Sequence, residues 1–193
     1  MKLMQLTAFL MLLFAIPTLR VSQEGGYSGC TPDRQSRDKS DEIVWSEGVR
    51  LSWSDFTPRT GPAKLYQAYT TAGIRYEIDA PDGKIRIRTQ AYFLKSESWV
   101  HTEHLKPGLL NHEQGHFDLA GLYSRRLADA LKKYETDANT FLERNYNDSA
   151  DAVFQRVYDE LKTEQLTYDQ LTVHGSDTAA QTRWNAWLRL QLD

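Results

Sequence analysis

The hydrophobic pattern of this chain changes its period once, near Val100. Before that point apolar and polar residues alternate, which is typical of half-buried strands. After it, apolar residues recur every three or four positions, as on one face of an amphipathic helix. Strands followed by helices favour an α+β domain over an alternating parallel fold. We therefore predict a small antiparallel sheet followed by packed helices.

Two alternating segments flank the turn signal Pro81-Asp82-Gly83 and are predicted to pair as an antiparallel hairpin. A third alternating segment lies upstream and is predicted to be another strand. The apolar positions of the three segments are Val49, Leu51 and Trp53, then Ile74, Tyr76 and Ile78, then Ile85, Ile87, Ala91 and Phe93.

Three helices are predicted in the C-terminal half. The first runs from near Pro107, which a first turn accepts, to Tyr134. The second runs from Ser149, a good N-cap residue, to about Gln165. The third is short and carries Trp184, Trp187 and Leu188.

The first residues of the chain predict export. Lys2 precedes an almost uncharged run from Leu6 to Leu19, which is too short for a confident spanning helix. We expect residues 1–22 to be a signal peptide or an uncleaved N-terminal anchor, so that the protein is periplasmic or secreted. Membrane contact would be limited to that anchor or to a lipid on Cys30.

Composition bounds the rest of the organisation. Residues 23–42 contain hardly any apolar side chain, and we expect a flexible polar segment there because such a sequence cannot offset the entropy of ordering. Residues 43–193 have a usual size for one domain. The net charge of −3 gives no electrostatic reason to expect a nucleic acid partner. Cys30 is the only cysteine, so no intrachain disulfide can form.

The first predicted helix contains a motif for metal chemistry. Residues four apart lie one above the other on a helix, so two histidines at that spacing can bind one Zn²⁺ ion on a largely apolar face. A glutamate directly after the first histidine is then placed beside the ion as a general base, in the HExxH pattern of zinc-dependent peptidases. The motif is His112-Glu113-Gln114-Gly115-His116.

A catalytic zinc site needs a third protein ligand. A further histidine on the same helix is excluded, because Leu122 occupies the position that it would need. Glu160 and Glu164 lie on the second predicted helix and could face inward as carboxylate ligands. His174 follows that helix in a segment of turn-forming residues, which could return its imidazole to the first helix. From the residues alone, these alternatives stay open.

The helical motif belongs to a longer pattern, which comprises Leu51-Ser52-Trp53-Ser54-Asp55-Phe56, Ser98-Trp99-Val100, residues 110–120, Tyr123, Arg125-Arg126, Tyr168-Asp169, Thr172, His174-Gly175, Gln181 and Trp184. This pattern resembles a bacterial family described as predicted secreted zinc-dependent proteases, otherwise a domain family of unknown function. In that family the segment matching residues 168–175 recurs with the helical motif. The resemblance implies that His174 is the third zinc ligand.

These observations predict a zinc metallopeptidase with a zincin-like fold, acting on a peptide or protein substrate. Glu113 is expected to take a proton from the attacking water, and Tyr168 to donate a hydrogen bond to the oxyanion. Asp169 is expected to cap a turn or to orient His174. Residues 91–98 are expected to form the edge strand along which a peptide binds.

Two alternative functions use the same residues. The first is a non-catalytic envelope interaction protein that zinc only stabilises. Glu113 argues against it, because a structural zinc site prefers four closed protein ligands and needs no neighbouring base. The second is a metal-dependent amidase acting on cell-wall peptide, which would share the mechanism.

Overall fold

The computed structural model describes residues 21–26, 39–61 and 66–193. Its strands, in chain order, are β1 (Val21–Gly26), β2 (Glu42–Val44), β3 (Thr57–Arg59), β4 (Ala68–Tyr69), β5 (Ala72–Asp79), β6 (Arg86–Leu94) and β7 (Trp99–His101). Its α-helices are α1 (Pro107–Leu131), α2 (Ala138–Glu143), α3 (Tyr146–Thr172) and α4 (Thr178–Leu192). Strands precede helices, so the predicted α+β class is confirmed.

The larger sheet has four antiparallel strands in the order β1-β5-β6-β2. Its centre is the predicted hairpin, in which Ala72 lies opposite Phe93 and Asp79 lies opposite Arg86. Pro81–Gly83 forms a short 3-10 turn between the two strands. The hairpin prediction is therefore confirmed.

The polar segment 23–42 contributes to this sheet. Residues 23–26 belong to β1, which pairs with β5, and Glu42 begins β2. Backbone hydrogen bonds attach a strand without any need for apolar side chains, so the composition of this segment did not predict β1. The remainder of residues 1–38, with most of the predicted signal peptide and Cys30, lies outside the described part of the chain.

The smaller sheet has three strands in the order β3-β7-β4. Its central strand β7 is parallel to β3 and antiparallel to β4, which leaves β4 at one edge. The prediction of an edge strand at residues 91–98 is wrong. Within β6, Tyr92 lies opposite Gly73 of β5 and Val44 of β2, so both sides of the strand are paired.

The strand predicted around Leu51 is also wrong. Leu51 is buried, as its apolar character predicts, but its backbone N–H donates to the side-chain Oε1 of Gln114 at 2.8 Å. The next residues turn sharply, because the Ser52 N–H donates to the Asp55 carboxylate at 2.9 Å and caps a 3-10 turn. The Gln114 side chain of α1 thus accepts the backbone hydrogen bond that a neighbouring strand would otherwise accept from Leu51.

The first and the last of the three predicted helices are confirmed, and the second predicted helix is longer than expected. Helix α1 and the 3-10 turn after it cover the predicted range, and α4 carries both tryptophans. Helix α3 begins after Asn145 rather than at Ser149, and it extends beyond Gln165 to Thr172. The short helix α2, capped by the Asp137 carboxylate, was not predicted.

The core lies between α1 and the larger sheet, where Phe93 of β6 contacts Phe117 of α1 with ring centroids 5.9 Å apart. Helices α3 and α4 also pack on α1. Both therefore reach the helix that carries the histidine motif. None of the helices within the described ranges is long and apolar enough to span a membrane.

Candidate metal centre

Helix α1 presents the two motif histidines to one point. Their rings lie one helical turn apart, with centroids 4.8 Å apart, and their Nε2 atoms are separated by 3.2 Å. His112 is 2% exposed, and His116 is more accessible. Two nitrogen atoms this close share either a proton or a metal ion, since two bare lone pairs would repel one another.

The other nitrogen of each ring is held by a glutamine. Nδ1 of His112 lies 3.1 Å from Oε1 of Gln181 in α4, and Nδ1 of His116 contacts Oε1 of Gln165 in α3. The Gln165 amide nitrogen donates to the His116 carbonyl, and the Gln181 amide nitrogen donates to Tyr168 and Asn185, so both Oε1 atoms must accept. Each Nδ1 therefore carries a proton, which leaves both Nε2 atoms as potential metal ligands.

Asp169 completes the group. Its Oδ1 atom lies 3.1 Å from Nε2 of His112 and 3.0 Å from Nε2 of His116. Ligand atoms on a tetrahedral zinc ion, with bonds of about 2.0–2.1 Å, are separated by about 3.3–3.4 Å. The three atoms of His112, His116 and Asp169 come within a few tenths of an ångström of that spacing. Their chemistry and geometry therefore fit a metal ion.

The charges of the group are coupled. In the metal-free protein, burial alone raises the pKa of the Asp169 carboxyl, but hydrogen bonds from His112 and His116, whose Nε2 atoms then carry a proton in place of a metal ion, outweigh burial and hold that pKa below its usual range. Burial lowers the pKa of His116, but the contact with Asp169 and the nearby charge of Glu113 outweigh burial, so this pKa lies above its usual value. The pocket thus keeps a carboxylate ionised beside the histidines.

Glu113 lies next to the group and is anchored from the sheet side. Its side chain is buried, and its Oε2 atom accepts a hydrogen bond of 2.7 Å from the hydroxyl of Thr70, the residue after β4. Both residues line the same pocket as the histidines. The structure therefore brings His112, Glu113 and His116 together as the motif predicted.

His174 lies at the rim of the pocket instead of within the group. It is 49% exposed on its side chain, and its Nδ1 atom is 3.4 Å from Oδ1 of Asp169. It follows Val173, and both residues adopt left-handed φ angles of about 50° after the end of α3. The turn is held close to α1, since a Cβ on Gly175 would lie 2.7 Å from Cβ of His112.

Tyr168 lies beneath the histidines and is completely buried. Its ring stacks on that of His112 at a centroid distance of 4.7 Å, and its hydroxyl donates to the His112 carbonyl at 3.0 Å. Burial raises the pKa of this hydroxyl. The hydroxyl expected to serve the oxyanion is bonded to the backbone of α1 and to Gln181, and Tyr168 is not among the residues that line the pocket.

The glutamates considered as ligands lie elsewhere on α3. Glu160 is exposed and pairs with Arg156 at 2.7 Å. Burial raises the pKa of the Tyr123 hydroxyl, and the negative charge of Glu164 raises it further, which places that carboxylate near Tyr123. The carboxylate that reaches the histidines is Asp169, which was expected only to cap a turn or to orient His174.

Asp169 was missed because the second helix was predicted to end at Gln165. Once α3 continues to Thr172, residues 165, 168, 169 and 172 fall on one helix face by their spacing of three and four. That face meets α1. If the predicted helix had been extended by two turns, this spacing would have pointed to Asp169 as part of the site.

The group opens into a pocket of about 490 Å³. Residues 66–70, which include the edge strand β4, form one wall, and the C-terminal half of α3 forms the opposite wall. The α1 residues His112, Glu113 and His116 lie between these walls. The pocket therefore contains the candidate metal-binding group and the Glu113 carboxylate.

Comparison with known proteins identifies a family whose function is unknown. A family model described as a bacterial protein of unknown function (DUF922) matches residues 48–175, about two thirds of the chain. No curated protein and no solved structure matches. The matched range contains α1, the pocket wall at residues 66–70, Asp169 and His174, but it ends before α4. The chain belongs to this family of bacterial proteins, DUF922.

Proposed function

We propose that this protein is a zinc-dependent metallopeptidase in which His112, His116 and Asp169 hold the ion. The observation that carries the proposal is the pair of Nε2 atoms 3.2 Å apart, each on a ring whose Nδ1 is bound by a glutamine. The buried carboxylate of Glu113 beside that pair supports a catalytic role over a structural one. The HExxH pattern at residues 112–116 is consistent both with zinc binding and with a catalytic role for Glu113.

In this proposal Glu113 is the general base. Its carboxylate takes a proton from the attacking water and passes it to the leaving amine. Thr70 holds one oxygen of Glu113 by its hydroxyl, which orients the carboxylate toward the groove. Bound Zn²⁺ supplies Lewis acidity, which makes proton loss from water feasible near neutral pH.

The proposed role of His174 follows from its place at the rim. The resemblance implies a third ligand there, but the residue whose ligand atom lies 3.0–3.1 Å from both Nε2 atoms is Asp169, which favours the carboxylate as ligand. His174 then takes the part that was expected of Tyr168, which is to donate a hydrogen bond to the oxyanion of the substrate. Its half-exposed imidazole, unlike the buried Tyr168 hydroxyl, is accessible from the groove.

The substrate proposed for this groove is an extended peptide. Strand β4 pairs on one side with β7, and residues 66–70 on its other side border the pocket. A peptide can bind there as an added strand, with backbone hydrogen bonds that need no particular side chains. An amide in cell-wall peptide would use the same groove. Export through the N-terminal segment is part of the proposal, because cell-wall and secreted substrates lie outside the cytoplasm.

The test combines metal content with hydrolysis, using tag-free protein that keeps the whole of β1. Zinc and iron are both measured, because two histidines and one carboxylate also suit Fe(II). We expect Glu113→Gln to keep wild-type zinc and to lose at least about a hundredfold in activity. We expect Asp169→Asn to lose zinc, while His174→Ala keeps zinc but hydrolyses slowly.

Glu160→Gln is the matched control, since Glu160 is an exposed carboxylate on the same helix and does not line the pocket. Loss of zinc in His174→Ala with full zinc in Asp169→Asn would restore His174 as the third ligand. Full zinc in the wild type without hydrolysis of any peptide or cell-wall amide would instead favour the zinc-stabilised interaction protein.

A further inference from the structure

The pocket continues along α3 beyond the proposed metal centre. From Asp169 toward the start of the helix, its lining residues recur every three or four positions. Since an α-helix rises 1.5 Å per residue, Lys162 lies about 10 Å along the helix axis from Asp169. We call the far end of this wall, formed by Tyr158, Leu161, Lys162 and Leu166, the distal half of the pocket.

The distal half combines apolar walls with one positive charge. Leu161 is buried at its base, whereas Leu166 exposes 47% of its surface. Lys162 is the only lysine or arginine among the described residues that line the pocket. A cation beside an apolar surface is complementary to a ligand that carries an apolar side chain and a negative charge close together.

The Lys162 ammonium makes only weak interactions with neighbouring side chains. Its ammonium lies 3.5 Å from Oδ1 of Asp159, and both side chains are substantially exposed, at 43% and 56%. It also lies 5.4 Å from the centre of the Tyr158 ring, near the outer limit of a cation–π contact. An exposed pair of this kind contributes little, so Lys162 can exchange Asp159 for a carboxylate of a bound ligand.

We infer that the distal half selects substrates with an acidic group about three residues from the cleaved bond, next to an apolar side chain. An extended peptide spans about 3.3 Å per residue, so three residues cover the distance from the metal centre to Lys162. The carboxylate belongs either to an Asp or Glu side chain or to the C-terminus of the peptide. This inference rests on the proposed peptidase function and narrows its substrate class.

The experiment starts from a peptide that the wild type cleaves or, where it cleaves none, from a peptide that zinc-loaded Glu113→Gln binds. Glu and Gln are compared at positions two to four residues from the bond on each side, with a free and an amidated C-terminus. We expect the wild type to prefer the negatively charged peptide about fivefold in kcat/KM, within the range of a partly exposed ion pair. Lys162→Met should abolish the preference, and Lys162→Glu should reverse it.

Arg156→Met is the control, because Arg156 is an exposed cation on the same helix that pairs with Glu160 and does not line the pocket. It should leave the preference unchanged. Comparison of the free and the amidated peptides identifies whether the carboxylate is a side chain or the C-terminus. A preference that survives Lys162→Met, or no preference in the wild type, overturns the inference.

Binding to zinc-loaded Glu113→Gln separates this inference from the proposed function. Fluorescence anisotropy measures the affinity of the same labelled peptides without turnover. If the wild type cleaves nothing, the peptidase proposal fails, but tighter binding of Glu peptides that disappears in Glu113→Gln/Lys162→Met would still support Lys162. Equal affinity for Glu and Gln peptides would refute the role of Lys162, whatever the activity.

Discussion

At the residue scale, Thr70 links the edge of the smaller sheet to the proposed base. Its hydroxyl is the donor to Oε2 of Glu113, and it follows directly after β4, where we propose that the peptide binds. Because Thr70 contacts the proposed base and adjoins the strand proposed to bind the peptide, the position of the peptide and the orientation of the Glu113 carboxylate depend on each other. Thr70 is a positioning residue, since it acts through Glu113.

Thr70→Val should lower kcat about tenfold while zinc content stays at the wild-type level. The substitution preserves shape but removes the donor, and a hydrogen bond to a charged group contributes about 1.5–3 kcal/mol. Steady-state kinetics and metal analysis on one preparation measure both quantities. Thr70→Ser keeps the hydroxyl and should recover most of the rate. If Thr70→Val keeps the wild-type kcat while Thr70→Ser is slow, the methyl group rather than the hydrogen bond matters.

At the element scale, the approach of α3 to α1 depends on a glycine. A Cβ on Gly115 would lie 2.2 Å from the hydroxyl oxygen of Tyr168, a distance that no real Cβ contact tolerates. The same hydroxyl binds the His112 carbonyl, so it cannot withdraw without loss of that bond. The glycine inside the motif therefore allows the helices to meet where the proposed ligands lie.

Gly115→Ala should destabilise the protein by about 1–3 kcal/mol, the usual cost of forcing extra volume into a packed site. The midpoint of urea unfolding measures this effect. Gly108→Ala is the control on the same helix, because a Cβ there meets no atom within 4 Å. Alanine favours a helix over glycine, so the control should be neutral or slightly stabilising. Equal midpoints for both variants would contradict the close packing.

The elements also show what a sequence can predict. Alternation identified the β5–β6 hairpin because each apolar face is buried in the core. The same alternation misled at Leu51, since burial does not reveal whether a backbone group pairs with a strand or with Gln114. The sequence of the last two turns of α3 is rich in turn-forming residues and predicts a loop. Tyr168 and Thr172 are nevertheless buried there, and this burial stabilises the helix despite its weak local helix propensity. The histidine pair was predictable from spacing, whereas Asp169 depended on that misjudged helix end.

At the scale of the whole molecule, buried hydroxyls join the layers. Tyr76 of β5 is almost completely buried and donates to the carboxylate of Asp151 in α3, which fixes that helix to the sheet. Burial, and then the bond to Asp151, raise the pKa of Tyr76. Burial also raises the pKa of Tyr168 and of Tyr123. The folded state therefore keeps protons that the unfolded state loses.

The metal-free protein should lose stability as pH rises above about 10, the usual pKa of tyrosine. Below that pH these hydroxyls are protonated in both states, and their contribution is complete. Above it only the unfolded chain ionises, so the free energy of unfolding falls with pH. Urea unfolding at pH 7, 9 and 10.5 measures this slope.

Tyr76→Phe should be about 1 kcal/mol less stable at pH 7, because a hydrogen bond is lost. Its further loss between pH 9 and 10.5 should be smaller than that of the wild type, since one titrating group is gone. Tyr66→Phe, at an exposed tyrosine, should follow the wild type throughout. Parallel curves for Tyr76→Phe and the wild type would exclude Tyr76 as a source of the alkaline loss.

The hydrogen bond from His112 to Gln181 has a consequence for biosynthesis. Gln181 belongs to α4, which follows α1, β4 and α3 in the chain. During translation the three proposed ligands leave the ribosome before the amide that fixes the His112 tautomer. The site can therefore reach its final geometry only after α4 has emerged and docked, so tight binding of the proposed ion would wait for that step.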